Sequence, residues 1–334
     1  MCRAKAALAC GADLVLELPV TYALSSAEGF AAGGVSILNR ICDSLCFGAE
    51  TADVDAIWRT AKALLSPEFS EALRSQLDLG LSFPAARQAA LDAMGLDNEI
   101  LDMPNNILAV EYCKAILTQK AALTPLHIHR GGSYHDELPD PENPSATALR
   151  QLISHGKDWE RYVPQEACCY FRDAAIHSLE LGEKAILSRL RTMTDTEFEA
   201  LPYGSEGLWR KLMHGSRREA SLENILSATK SKRYTRSRLD RMVLCAFLGL
   251  TAEDLSTPPP YARVLAFNDQ GREILNSVKD SGFFVNVGEN TAFPYQLIED
   301  RCGALYGLFA ANPEAPEQPK QDRIHYVKHN QIGR

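Results

Sequence analysis

The sequence predicts an α/β fold followed by a mainly helical region, and three observations predict it. Short apolar runs ending at Gly or Pro alternate with helix-period segments over the first 165 residues. Strand signal then almost vanishes across residues 170–250. It returns at 263–267 (RVLAF) and 283–287 (FFVNV), on either side of a helix-period stretch at 270–277.

The elements follow in order. Residues 1–10 read as the end of an amphipathic helix, with Gly11 as its C-cap. Residues 13–19 (DLVLELP) read as a buried strand stopped by Pro19. Residues 25–40 read as a helix capped by Ser25 or Ser26, with Glu28 near the capping-box position. A second short strand at 43–48 (DSLCFG) ends at Gly48. Strand, helix and strand in this order imply a parallel crossover. Residues 52–100 are mostly helical in pattern, and 107–118 continue so, with Asn105 or Asn106 as a cap before them. A strand at 126–129 leads into a loop at 130–136, and a further helix opens at 144–150. The expected organisation is a Rossmann-like unit over 1–165, a helical domain over 166–258, a small α/β segment over 259–311 and a Pro-rich, polar, disordered tail over 312–334.

Composition narrows the function. The chain has 334 residues, 46% of them hydrophobic, which suffices for a sizeable core. The formal net charge of −8 excludes bulk attraction to nucleic acid, so any RNA contact needs a local basic patch. Nine cysteines, with no CxxC pair, suggest neither a disulfide framework nor a zinc ribbon but buried, reduced thiols of a cytoplasmic protein. No apolar run is long enough for a bilayer, and no secretory signal stands at the start.

Four segments carry chemistry. In 143–150 (NPSATALR), Ser145 stands at a helix N-cap, and Thr147 and the first-turn amides point to the same spot. Free N–H groups, the helix dipole and the Arg150 guanidinium one turn on suit a polyphosphate. A plain capped helix with a surface arginine has the same pattern. In 128–136 (IHRGGSYHD), Arg130 stands at the carboxyl end of a strand, where open α/β sheets bind ligands, and the glycines permit close backbone approach. His127, His129 and His135 lie close together, but no Cys or carboxylate is spaced to complete a metal site, so no metal is expected. In 104–112 (PNNILAVEY), one asparagine serves as a cap and the second is left to read a base or ribose. In 230–241 (KSKRYTRSRLDR), Lys230, Lys232, Arg233, Arg236, Arg238 and Arg241 surround Tyr234. Such a run suits a phosphate backbone with a stacking tyrosine, and a solvated helix face is the alternative.

As a set, residues 11–19 (GADLVLELP), 26–39 (SAEGFAAGGVSILN), 46–50 (CFGAE), 104–112 (PNNILAVEY), 130–136 (RGGSYHD), 145–150 (SATALR) and 231–235 (SKRYT) resemble the tRNA(Met) cytidine acetate ligase family, in family order. The resemblance implies a nucleotidyltransferase-like Rossmann fold of the HIGH type. It implies two steps: acetate and ATP form acetyl-adenylate, and the acetyl group then passes to N4 of the wobble cytidine of elongator tRNA(Met). It places ATP contacts at Gly48, Asn105 (or its neighbour Asn106) and Arg130, with Ser145, Thr147 and Arg150 as the phosphate-binding helix start, and Mg²⁺ accompanying ATP. The family's Asn-Pro-Phe-His-x-Gly-His loop and first strand are not found in this sequence, so no catalytic residue is assigned and the Rossmann unit is expected to be N-terminally incomplete. A tRNA-binding remnant without catalysis and a small-molecule adenylyltransferase are the alternatives. No protein partner is inferred.

Overall fold

The computed structural model describes residues 1–81, 83–96, 99–130, 144–172, 174–231, 234–285, 294–313 and 324–328. The chain divides into two compact units, Ser26–Tyr162 and a second made of Met1–Ser25 with Val163–Arg334. The first 25 residues thus fold with the C-terminal part, whereas the sequence pattern groups them with the residues that follow.

In the unit Ser26–Tyr162, strands β2 (Ser44–Ala49) and β3 (Thr124–His129) run parallel, in register from Ser44 opposite Thr124 to Ala49 opposite His129. (β1, Leu14–Leu16, belongs to the other unit.) Leu45, Phe47 and Ala49 alternate onto one face and are buried, as a period-two strand requires. Helices Ala27–Leu38 and Pro104–Gln119 bury Ala31, Val35, Ala109, Val110 and Cys113 in the same core. Small residues on the first helix permit this closeness: Cε1 of Tyr112 lies 3.4 Å from the position a Cβ would take on Gly34. Phe47 and Tyr112 stack with ring centroids 5.7 Å apart. Three more helices, Val54–Leu64, Pro67–Asp78 and Phe83–Ala93, complete the layer. Asp53 and Ser66 cap the first two through their side chains.

In the other unit, helix Cys2–Ala9 ends before Gly11, whose φ of +100° is open to glycine and not to a residue with Cβ. The expected seven-residue buried strand is shorter: β1 spans Leu14–Leu16, and all three residues are half-buried. Its partner also differs from expectation. β1 pairs antiparallel with β4 (Ala262–Asn268), so the parallel crossover from 13–19 to 43–48 does not form, and β2 pairs with β3 instead. The physical reason is a long-range knot. The Asn268 amide N–H donates to the Asp13 carbonyl at 3.0 Å, and its side-chain Nδ2 donates to Asp13 Oδ1 at 2.7 Å.

β4, helix Asp269–Ser277 and β5 (Phe284–Val285) form the parallel unit that the pattern at 263–287 predicts. The tail is corrected in part: residues 314–323 lie outside the described residues, but β6 (His325–Val327) pairs parallel with β4. Tyr326 anchors it, donating its hydroxyl to Asp269 and packing its ring against Phe267. A Pro-rich, polar composition over the whole tail hides these three residues.

The helical part has its own core, built on Ile186, Leu190, Phe198, Leu208, Leu212, Ile225, Leu239 and Met242. All nine cysteines are free thiols. Cys113, Cys168 and Cys245 are buried, while Cys2, Cys10, Cys46 and Cys169 are exposed, against the expectation that all are buried. Burial pushes the Cys113 thiol up to about 12. Among the described residues, no helix is long and apolar enough to cross a membrane.

Candidate nucleotide and tRNA sites

The carboxyl ends of β2 and β3 lie side by side, and parallel strands of open α/β sheets present ligands there. The chain leaving β2 is tied to the start of helix Pro104–Gln119 by a reciprocal clasp. The Glu50 carboxylate accepts from the amides of Asn105 (3.1 Å) and Asn106 (2.7 Å) and from the Asn105 side-chain Nδ2 (2.7 Å). In return Asn106 Oδ1 accepts from the amides of Glu50 (2.9 Å) and Thr51 (3.0 Å). A carboxylate at a helix N-terminus also meets the positive end of the dipole.

This arrangement alters the expected cap. The helix begins at Pro104, with Met103 as its N-cap and no side-chain cap bond from its own segment. Proline at the first helical position loses no hydrogen bond and has a preset φ. Asn105 and Asn106 therefore lie inside the first turn, and Glu50 serves as the cap from a distance of 55 residues in sequence. Asn106 is buried and its Oδ1 is used up by two amides. Asn105 is half-buried, and its Oδ1 has no protein donor among the described residues.

Gly48 and Arg130 meet. The Arg130 amide donates to the Ala49 carbonyl at 2.8 Å, and its side chain lies across Gly48. A Cβ built on Gly48 would stand 2.7 Å from Arg130 Cδ. The sheet face on this side carries Cys46, Gly48, Leu126 and Ile128, of which Leu126 is 50% and Ile128 63% exposed. An open apolar floor with a guanidinium at its edge suits an anionic ligand with a flat, apolar part.

Ser145 caps helix Ala146–Ser154, accepting from the Ala148 amide at 3.0 Å, as the pattern predicts. Thr147 and Arg150 are exposed and three residues apart, so they share a face of its first turns. His127 and His129 point to one face of β3, and His135 lies outside the described residues with the rest of 131–143. Among the described residues no three His, Cys, Asp or Glu side chains are grouped to hold a metal ion.

The basic run is placed differently from expectation. Lys232 and Arg233 lie outside the described residues. Tyr234 is only 6% exposed, its hydroxyl donates to Glu206 Oε2, and Arg238 lies 5.0 Å from its ring centroid. A ring so enclosed has no free face for a base, which corrects the stacking role. Arg236 is held by both Glu223 oxygens and by Asp240, each at 2.8 Å. Arg238 donates to the Tyr203 carbonyl and to Ser205, and Arg241 stands over the Tyr203 ring. Lys230 is exposed at the end of helix Leu222–Thr229.

The HIGH Nucleotidyl Transferase family model matches residues 1–318. The chain belongs to the HIGH nucleotidyltransferase family. Among its relatives, the tRNA(Met) cytidine acetate ligase of Clostridium novyi is 37% identical over 83% of this chain and 74% of that protein. The ligase of the same name from Acetivibrio thermocellus is 33% identical over 83% of this chain and 73% of its own length. A ligand-free crystal structure of Thermotoga maritima TmcAL superposes with a TM-score of 0.88 at 27% identity, covering 98% of this chain and 87% of that one. A second, bound with alpha-thio ATP, superposes at 0.84. The fold is therefore the Rossmann-like α/β fold of HIGH nucleotidyltransferases.

One site residue and one assignment escape the sequence reading. Glu50 is visible only as the end of CFGAE, where nothing local shows that its carboxylate reaches the helix 55 residues later. The division of labour between Asn105 and Asn106 depends on which one is buried, and adjacent identical residues carry no signal for that.

Proposed function

We propose that this HIGH nucleotidyltransferase serves the tRNA(Met) cytidine acetate ligase reaction in the cytoplasm. An acetate oxygen attacks the α-phosphorus of ATP, the bond to pyrophosphate breaks, and acetyl-adenylate forms. The N4 amine of the wobble cytidine of elongator tRNA(Met) then attacks the acetyl carbonyl, AMP leaves with its phosphate oxygen, and a proton is released. The observation that carries this reading is the meeting of Gly48 and Arg130 at the β2 and β3 strand ends, held by the Glu50 clasp. The names of the Clostridium and Acetivibrio relatives and the alpha-thio ATP complex of the Thermotoga protein support it.

In this reading Gly48 gives ATP close approach to the backbone and Arg130 supplies a charge-assisted contact. Asn105, through its free Oδ1, takes a donor from the nucleoside. Ser145, Thr147 and Arg150 face the phosphates at a helix N-terminus. Mg²⁺ enters with ATP. Positioning and electrostatic stabilisation of the in-line attack are the chain's contribution, with no covalent enzyme intermediate. Isothermal titration of ATP into the purified chain tests the site. Arg130→Ala is expected to weaken binding about tenfold, the loss of one charge-assisted contact. Unchanged affinity in that variant overturns the placement.

A second reading is a tRNA-binding member of the family without adenylation. Acetate-dependent release of pyrophosphate from ATP separates the two: release above an enzyme-free control supports the ligase, and its absence supports the second reading.

A further inference from the structure

A second set of cations is arranged quite differently from the run at 230–241. Helix Leu208–Arg218 (LWRKLMHGSRR) contains no acid. At about 100° per residue, Arg210, Lys211, His214, Arg217 and Arg218 fall within an arc of roughly 120°. All five are exposed. The opposite arc buries Leu208, Leu212, Met213, Gly215 and Ser216. Gly215 lets Ile225 and Thr229 of the next helix approach to 3.4 Å of where its Cβ would be, so the helix is seated firmly. The cationic arc, roughly 12 Å long, is thus held on a rigid support.

Its charges are largely unspent. Arg217 is paired with Asp195, and Arg210 lies 4.9 Å from the ring centroid of its neighbour Trp209. Lys211, His214 and Arg218 have no hydrogen bond or ion pair among the described residues. On the two neighbouring helices, Glu197 is bonded to Arg189 and Glu223 to Arg236, and Glu219 follows Arg218 as the C-cap residue. In a chain of net charge −8, such a face is a local exception.

We propose that the exposed face of helix Leu208–Arg218 binds the phosphate backbone of RNA, with Lys211 and Arg218 as direct phosphate contacts. The proposal rests on the tRNA reading above and adds the surface that meets the tRNA. The arc carries no exposed apolar side chain. It lacks the buried anchor that a protein partner would need and the apolar wedge that a membrane surface would take. A one-sign, polar, rigid strip matches a polyanion read by charge.

The test is filter binding of elongator tRNA(Met) and an unrelated tRNA across a salt series. The wild-type chain is compared with Lys211→Ala/Arg218→Ala and with Arg236→Ala. Each lost phosphate contact lowers the slope of log K against log salt by about one unit. The double variant is therefore expected to lose about two units on both tRNAs, with its melting temperature unchanged because both residues are exposed. Arg236→Ala is expected to keep the wild-type slope. A double variant that keeps both affinity and slope overturns the surface and leaves the tRNA reading standing. Loss of slope with equal affinity for the two tRNAs supports the surface and counts against selectivity for tRNA(Met). A wild-type chain that binds neither tRNA overturns both.

Discussion

Each unit of the molecule is tied by a carboxyl-side knot between distant segments, and the two knots differ in what surrounds them. In Met1–Ser25 with Val163–Arg334, Asp13 is bound to Asn268, and the space about it is full. A Cβ on Gly271 would stand 2.1 Å from the Asp13 carbonyl oxygen, a backbone atom that cannot swing away. In Ser26–Tyr162, Glu50 is bound to Asn105 and Asn106, and among the described residues the tight contacts of a Cβ on the neighbouring Gly48 would be with the flexible Arg130 side chain. A filled knot holds a fold together. Hydrogen-bond geometry alone does not separate the two knots; what a Cβ would meet beside each does, a backbone oxygen at the filled knot and the flexible end of a side chain at the open one.

The largest expected effect is at the filled knot. Gly271→Ala forces the helix start at Asp269–Ser277 away from Asp13 and should cost about 3 kcal/mol or more. Urea unfolding of the two proteins measures it, and a loss well under 1 kcal/mol would show that this knot also has room to give. At the open knot, Glu50→Ala removes the acceptor of three N–H donors, two from half-buried Asn105 and one from buried Asn106. A cost of about 1–3 kcal/mol is expected in the same experiment, together with weaker ATP binding. A stable variant with full ATP affinity would break the link drawn between clasp and site.

A smaller, pH-dependent effect sharpens the contrast. Glu299 is buried, with the Tyr261 hydroxyl donating to it at 2.9 Å. Burial, and then the Glu17 charge, push its carboxyl up from 4.5 to about 7. Its folded value lies above its unfolded one, so the folded state holds the extra proton between those limits. Stability is lost as pH rises from about 4.5 through about 7. Glu299→Gln should be the more stable form at pH 8, by on the order of 1 kcal/mol, with the advantage fading towards pH 4.5. Thermal melts of both proteins across that range check the sign.

Smallest is Arg236→Ala. The side chain sits in an ion-pair cluster with Glu223 and Asp240, but all three are substantially exposed. A change of 0–1 kcal/mol, shrinking as salt is added, is expected from equilibrium unfolding. A large, salt-insensitive loss would place this cluster with the filled knot.

The sequence by itself determined the local elements whose causes are local. Ser145 caps its helix because a hydroxyl two or three residues before a free amide is enough. Strands β2 and β4 were legible from apolar alternation and apolar runs, and the family from the ordered set of segments. Tertiary structure decided the partners. Residues 14–16 carry no mark saying whether they pair with β2 or with β4, because pairing depends on Asp13 meeting Asn268 some 255 positions later. Likewise, a dense run of charges at 230–241 reads as a basic patch. Spacing along the chain does not show that Glu223, Glu206 and Ser205 fold against Arg236, Tyr234 and Arg238, or that Arg236 turns to Asp240 of the same run. The cations of helix Leu208–Arg218 are diluted by apolar residues in sequence and are gathered onto one face only by the helical turn. Charge and hydrogen-bonding capacity belong to residues, but whether they are spent or free is a property of neighbours brought in from far along the chain.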